Sequence, residues 1–175
     1  MKKLKLILLI SLIVSLNSCK TLFTESIRKT VQRTNLDRIE KVQFYNDREI
    51  EIVYKTSEAK DIVEGGKVKF KAGYYYYFIK FPKHTKAQAK HIDNERLKVF
   101  FEVGEDRYLV FGDSGNDKDE YYQLYGNDLG DGFYVNFEGK KFKVINGGQA
   151  LLKIKKNYKE KTITDKRKVK GVKVK

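Results

Sequence analysis

Four groups of side chains in this 175-residue sequence carry types that can do chemistry: a lone cysteine, two histidines, an acidic loop and a run of tyrosines. His84 and His91 stand near Asp93 in a polar stretch. A zinc-type centre needs three or four converging nitrogen, sulfur or oxygen ligands. With Cys19 the only thiol and distant in sequence, solvent-exposed loop histidines are expected here, not a metal site. The run Asp113-Ser114-Gly115-Asn116-Asp117-Lys118-Asp119-Glu120 gathers hard oxygen ligands of the kind calcium takes. Gly115 falls too early for the sharp turn of a calcium loop, however, and Lys118 puts a cation among the ligands. An acidic, solvated loop is the expectation, with calcium and a glycosidase-like carboxylate pair as weaker alternatives. Tyr74, Tyr75, Tyr76 and Tyr77 alternate faces if they lie on a strand. One face then offers aromatic rings for stacking on sugar or a partner; a strand covered on both sides is the competing expectation.

What is missing narrows the function class. The sequence has no Gly-x-Ser-x-Gly, no phosphate-binding loop and no dinucleotide fingerprint, so neither an enzyme nor a cofactor is expected. The formal net charge of +14 divides unevenly. Lys2, Lys3 and Lys5 lie at the start, and from Lys153 to Lys175 ten lysines and Arg167 face only Glu160 and Asp165. The remaining chain is nearly balanced, and no nucleic-acid partner is expected. The basic end reads as a lysine-protected edge strand with a solvated tail, or as a patch for anionic headgroups.

A cationic start followed by the apolar run Leu6–Leu16, too short to span a bilayer in comfort, is the secretory-signal pattern. A lone cysteine in an exported chain has no partner for an intramolecular disulfide. Leu16-Asn17-Ser18-Cys19 resembles the lipobox read by bacterial lipoprotein signal peptidase, with Asn17 departing from the usual small aliphatic residue. That resemblance implies removal of residues 1–18 and acylation of Cys19, with diacylglyceryl and palmitate-type chains as the membrane tie. A free Cys19 after ordinary signal cleavage is the alternative. Acyl chains contribute about 0.8 kcal/mol per buried CH₂, so several on one residue hold a protein at a membrane almost permanently.

These residues must be positioned by strands. Tyrosine (12) and phenylalanine (11) are abundant, and proline (1) is nearly absent. Residues 19–41 read as a lipidated N-terminus and polar tether, with a short helix possible from the spacing of Ile27 and Val31. From Val42 the apolar period becomes two. Strands are expected through Phe44, Ile50–Tyr54, Val68–Ala72, Tyr74–Phe81, Leu97–Val103, Tyr108–Phe111, Tyr121–Tyr125, Phe133–Phe137 and Phe142–Val144, then Leu152–Ile154. Val68, Phe70 and Ala72 should be buried opposite lysines, and residues 83–95 should be a polar connection. Glu138-Gly139 is the clearest hairpin turn. A further strand is expected near Val169–Val174, with a bulge at Gly171. The expectation is one all-β domain over 42–175, an antiparallel sandwich or small barrel of roughly seven or eight short strands.

Several runs resemble a family of small β-rich Gram-negative envelope lipoproteins of uncharacterised function. They are Lys41–Ile50, Val63–Val68, Leu97–Glu102, Arg107–Gly112 and Phe137–Phe142. The resemblance implies envelope anchoring and no catalytic residues. The expected role is a structural or interaction module with an envelope protein partner, as a subunit of an envelope or secretion complex. The alternative is a lipoprotein that binds carbohydrate or another envelope ligand through Tyr74–Tyr77. Lys20-Thr21-Leu22-Phe23-Thr24 carries no acidic residue that would mark surface export, so the periplasmic face of the outer membrane is the expected location.

Overall fold

The computed structural model describes residues 20–32, 36–59, 66–93, 95–114 and 120–155. Cys19, the leader, the centre of the acidic loop and the lysine-rich end beyond Lys155 lie outside the described residues.

The fold is two antiparallel sheets packed face to face, an all-β sandwich. One sheet orders its strands β1 (Lys20–Leu22), β13 (Leu152–Lys155), β2 (Phe44–Asn46), β6 (Lys86–His91), β7 (Arg96–Phe100), β8 (Tyr108–Asp113) and β9 (Tyr122–Leu124). Its two edges approach each other, because Tyr121 and Gln123 bridge back to Thr24 and Leu151. The other sheet orders β10 (Asn127–Asp128), β11 (Phe133–Phe137), β12 (Lys140–Asn146), β3 (Ile50–Thr56), β5 (Tyr74–Phe81) and β4 (Lys67–Lys71). Among the described residues there are thus thirteen strands, more than the seven or eight expected.

Alternation builds the core. Phe44, Leu97, Val99, Leu109, Phe111 and Leu152 point inward from the first sheet. Ile50, Ile52, Phe81, Val135, Phe137 and Phe142 meet them from the second. Phe81 joins the layers, with ring centroids 5.2 Å from Phe101 and 5.6 Å from Phe137. Burying one such ring contributes about 2–3 kcal/mol.

The expected tether is corrected by this arrangement. Lys20–Leu22 pairs with Leu152–Lys155 as strand β1, and Phe23 is fully buried against Phe44 and Tyr122 at 5.0 Å from each ring. Thr24 then caps helix α1 (Glu25–Gln32), its Oγ1 accepting from the Ile27 amide at 3.3 Å. The Ile27–Val31 spacing is the helix's apolar stripe, with Val31 buried and Ile27 packed on the core. A 3-10 helix over Leu36–Lys41 follows, and Ile39 is buried. Apolar residues this sparse bury fully because strands from the far end of the chain surround them.

Three further differences have local causes. Residues 83–95 contain β6, whose inward positions Ala87 and Ala89 are small and so give a weak apolar period. Strand β4 is exposed along its whole length, Phe70 at 64%, because it is an edge beyond the reach of the opposite sheet. Strand β7 ends at Phe100, leaving Val103 in a loop at 95% exposure. The β11–β12 hairpin forms as expected, on a two-residue turn with φ of 51° at Glu138 and 69° at Gly139.

Candidate functional site

The register fixes what the tyrosine run can offer. Tyr75 and Tyr77 pair with Thr56 and Tyr54 on the inward face; Tyr74 and Tyr76 point outward. Tyr77 is 3% exposed, its ring 6.1 Å from Phe142, and burial raises its hydroxyl above the ordinary tyrosine range. Gly66 lies so close to that ring that a Cβ there would strike it, which explains a glycine at this point. Tyr75 is half-buried against Phe70 at 4.8 Å. Tyr77 is therefore a core residue, and the four rings do not share a face. What remains outward is Tyr74 and Tyr76, with the Lys55 ammonium 3.8 Å and 5.9 Å from their centroids.

The histidines are not brought into a ligand cluster. His84 sits in the β5–β6 turn at a φ of 66°, its amide donating to the Asn46 carbonyl. His91 lies under α1, where Gln32 Nε2 is 3.2 Å from His91 Nε2; burial lowers its pKa. Asp93 is used locally: its Oδ1 accepts from the Glu95 and Arg96 amides, and its Oδ2 accepts from Arg96 Nε at 2.7 Å. Among the described residues no group of three or more histidines, cysteines or carboxylates is placed to hold a metal ion. Of the acidic loop only Asp113, Ser114 and Glu120 are described; the Ser114 amide donates to the Tyr121 carbonyl at 3.0 Å.

Concave surface lies elsewhere. An open groove of about 820 Å³ runs over the outward side of β6 and β7, with Lys86, Lys90, Lys98 and Phe100 on its floor. Glu102 and Glu105, on the loop after β7, form its rim. Arg107 ties that loop to the other sheet through Glu138 at 2.9 Å.

Charge on the first sheet is sorted by position. Its outward strand positions hold Lys20, Lys86, Lys90, Lys98, Lys153 and Lys155, and no aspartate or glutamate. At one end of this face Lys153 and Lys86 flank Tyr45 in register, and the Lys20 ammonium covers the Tyr45 ring at 4.0 Å. Burial and the charges of Lys153, Lys155 and Lys86 hold Lys20 below the ordinary lysine range. His84 feels the same cations: burial, then Lys20, Lys83 and Lys153, lowers its pKa.

A buried polar cluster was missed by sequence reasoning. Arg28 donates from Nε and Nη2 to the two oxygens of Glu25, and from Nη1 to Gln32 Oε1 at 2.6 Å. The Tyr122 hydroxyl donates to Glu25 Oε2 at 3.0 Å, joining α1 to β9. Burial opposes Glu25 ionisation, but hydrogen bonds from Arg28 and Tyr122 and the charges of Arg28 and Lys29 outweigh it and lower its pKa. Burial pushes Tyr122 far above the tyrosine range. Perturbed groups of this kind can mark active sites. Here every member is paired within the cluster and none lines the groove, so the cluster fastens the helix to the sheet. The i, i+3 spacing of Glu25 and Arg28 was the only local sign of it.

Compared with known protein families, curated proteins and solved structures, the chain matches none.

Proposed function

We propose that this chain is a lipid-anchored protein of the bacterial envelope, held by acylated Cys19 and acting as a structural or interaction module. The location proposed is the periplasmic face of the outer membrane, and the role a subunit of an envelope or secretion complex. The leader, the Leu16-Asn17-Ser18-Cys19 run, the single thiol and the likeness to envelope lipoproteins support this reading. The observation that carries it is the Leu16-Asn17-Ser18-Cys19 run ending on the chain's single cysteine, and Lys20, the next residue, is the first residue of strand β1. An acyl group on Cys19 would join bilayer to folded domain with no spacer, so the domain meets partners close to the membrane surface.

Labelling of growing cells with a palmitate analogue tests the anchor. The wild-type chain should take up label and sediment with membranes, and Cys19→Ala should do neither. Equal labelling and sedimentation of the two overturn the proposal. Crosslinking and pull-down of the wild-type chain from envelopes should give a partner set that Cys19→Ala loses. Added protease should spare the protein on intact cells; rapid shaving would place it on the outside.

A second reading, binding of carbohydrate or another envelope ligand, rests on Tyr74 and Tyr76, which stand outward beside Lys55. Soluble envelope glycan fragments should then quench tyrosine fluorescence of the wild type and not of Tyr74→Ala/Tyr76→Ala. Unchanged fluorescence on addition of those fragments to the wild type removes this reading.

A further inference from the structure

We infer that the lysines around Tyr45 form a docking patch for the anionic phosphate headgroups of a bilayer, so that the domain lies on the membrane by this face. The inference rests on the acyl-anchor reading and adds an orientation to it. Its first support is charge. Lys20, Lys86 and Lys153 surround one ring, Lys155 lies in register with Lys20, and no carboxylate occupies an outward position on these strands. The second sheet also carries outward lysines, among them Lys55, Lys67, Lys69 and Lys71, but its outward face mixes signs: Glu51 stands opposite Lys80, which is paired with Glu49 at 3.0 Å, and Lys143 donates to the Asp131 carbonyl. The cations around Tyr45 repel one another, and a phosphate between them relieves that repulsion; burial first, then the charges of Lys153, Lys155 and Lys86, lower the pKa of Lys20.

Connectivity is the second support. Lys20, the residue after the acylation candidate Cys19, is paired with Lys155, after which the sequence is strongly basic. The sequence from 156 to 175 has eight lysines and Arg167 against Glu160 and Asp165. The described residues that adjoin the anchor candidate and the basic segment, Lys20 and Lys155, thus both belong to the patch. The acyl chains hold the protein at a bilayer without setting its orientation, and a basic patch beside them adds about 1 kcal/mol for each lysine that meets an anionic surface. The partner that fits is a surface with many phosphates, not one small anion, because the lysines spread over β1, β13 and β6 and only Lys86 among them lines the groove.

The full chain, purified from the membranes in which it is made and reconstituted into vesicles, supplies the test. Phosphatidylcholine vesicles are compared with vesicles that also contain phosphatidylglycerol, and lysine acetylation rates are read by mass spectrometry. Lys20, Lys86, Lys153 and Lys155 should react about fivefold more slowly on the anionic vesicles, the factor corresponding to one favourable lysine–surface contact. Lys69 and Lys71, on the outward face of the other sheet, should not change, and high salt should abolish the difference. Lys86→Glu/Lys153→Glu, which alters outward side chains only, should remove the protection of Lys20. Equal rates on both vesicles, or equal protection of Lys69 and Lys71, overturn the inference. The mass of the N-terminal peptide reports acylation separately: an unmodified Cys19 defeats the anchor reading, whereas the vesicle comparison judges the patch.

Discussion

Asn46 donates its side-chain Nδ2 to the Pro82 carbonyl at 2.8 Å, which ties together the two places where the chain first crosses between sheets. Asn46 ends β2 and Pro82 follows β5, and the same Nδ2 also donates to the Arg48 carbonyl at 2.7 Å. The last crossing, from β12 to β13, joins the corner through Asp47, whose Oδ1 accepts from the Leu151 amide at 2.8 Å. Asn46→Ala removes both links across the corner, although the Pro82 carbonyl keeps its Thr85 donors, and should cost about 1–2 kcal/mol in urea unfolding. Asn146→Ala, at an exposed site, should change stability by less than about 0.5 kcal/mol.

Phe23 separates a tether from a folded segment. Its ring is buried between Phe44 and Tyr122, so Phe23→Ala should destabilise the domain by about 3–5 kcal/mol. Val103→Ala, 95% exposed, is the control and should be neutral. Equal unfolding midpoints for the two variants would return residues 20–41 to the role of spacer.

Acid should weaken the fold in two stages. Burial holds the folded pKa of His91 below the ordinary histidine value of 6.5 and so favours its neutral form. Its contribution is therefore complete above that pH and is lost as pH falls through the lowered value. Glu25, lowered from 4.5, acts in the same sense further down: its contribution is present above 4.5 and is lost as pH falls through its folded pKa. Thermal unfolding of His91→Gln should lack the upper stage, and that of Glu25→Gln the lower one. Glu25→Gln should also be less stable at neutral pH, because Arg28 keeps its buried charge without a counterion.

Backbone sites with positive φ should respond according to their surroundings. Gly147 has a φ of 76°, and a Cβ there would strike the Glu49 carbonyl oxygen, so Gly147→Ala should cost about 3 kcal/mol. Gly139, with φ of 69°, has open space around it, and Gly139→Ala should cost only the conformational strain of about 1 kcal/mol. Ala72 holds a φ of 50° in the β4–β5 turn, where a primed turn favours asparagine or glycine. Ala72→Asn should raise stability by about 0.5–1 kcal/mol; a lowered unfolding midpoint would mean that the turn differs.

Strands whose inward residues are large were legible in the sequence. Tyr74–Phe81, Arg96–Phe100 and the Phe133–Asn146 hairpin carry a period of two strong enough to give the all-β class and the alternation of the tyrosines. Strand β6 was hidden because Ala87 and Ala89 barely contrast with the lysines around them. The division into sheets was not local information. Asn46-Asp47 suits a hairpin turn as well as a crossing, and hydrogen bonds to Pro82 and Leu151 decide between them. Likewise, alternation separates Tyr75 and Tyr77 from Tyr74 and Tyr76, but Phe142, on another strand, decides which pair is covered. Helix α1 and Phe23 became part of the domain through Tyr122, about a hundred residues away, and no window of sequence spans that.

The pairing of β1 with β13 has a mechanical consequence. Lys20 and Lys155 stand opposite each other at one end of the ribbon. A pull that separates these two residues opens the ribbon as a zipper, one hydrogen bond at a time, and needs little force. A pull on the N-terminus against the rest of the domain, directed along the strand, loads the hydrogen bonds of β1 together and tugs on the buried Phe23 behind them. The same short ribbon is thus soft in one direction of tension and stiff in the other.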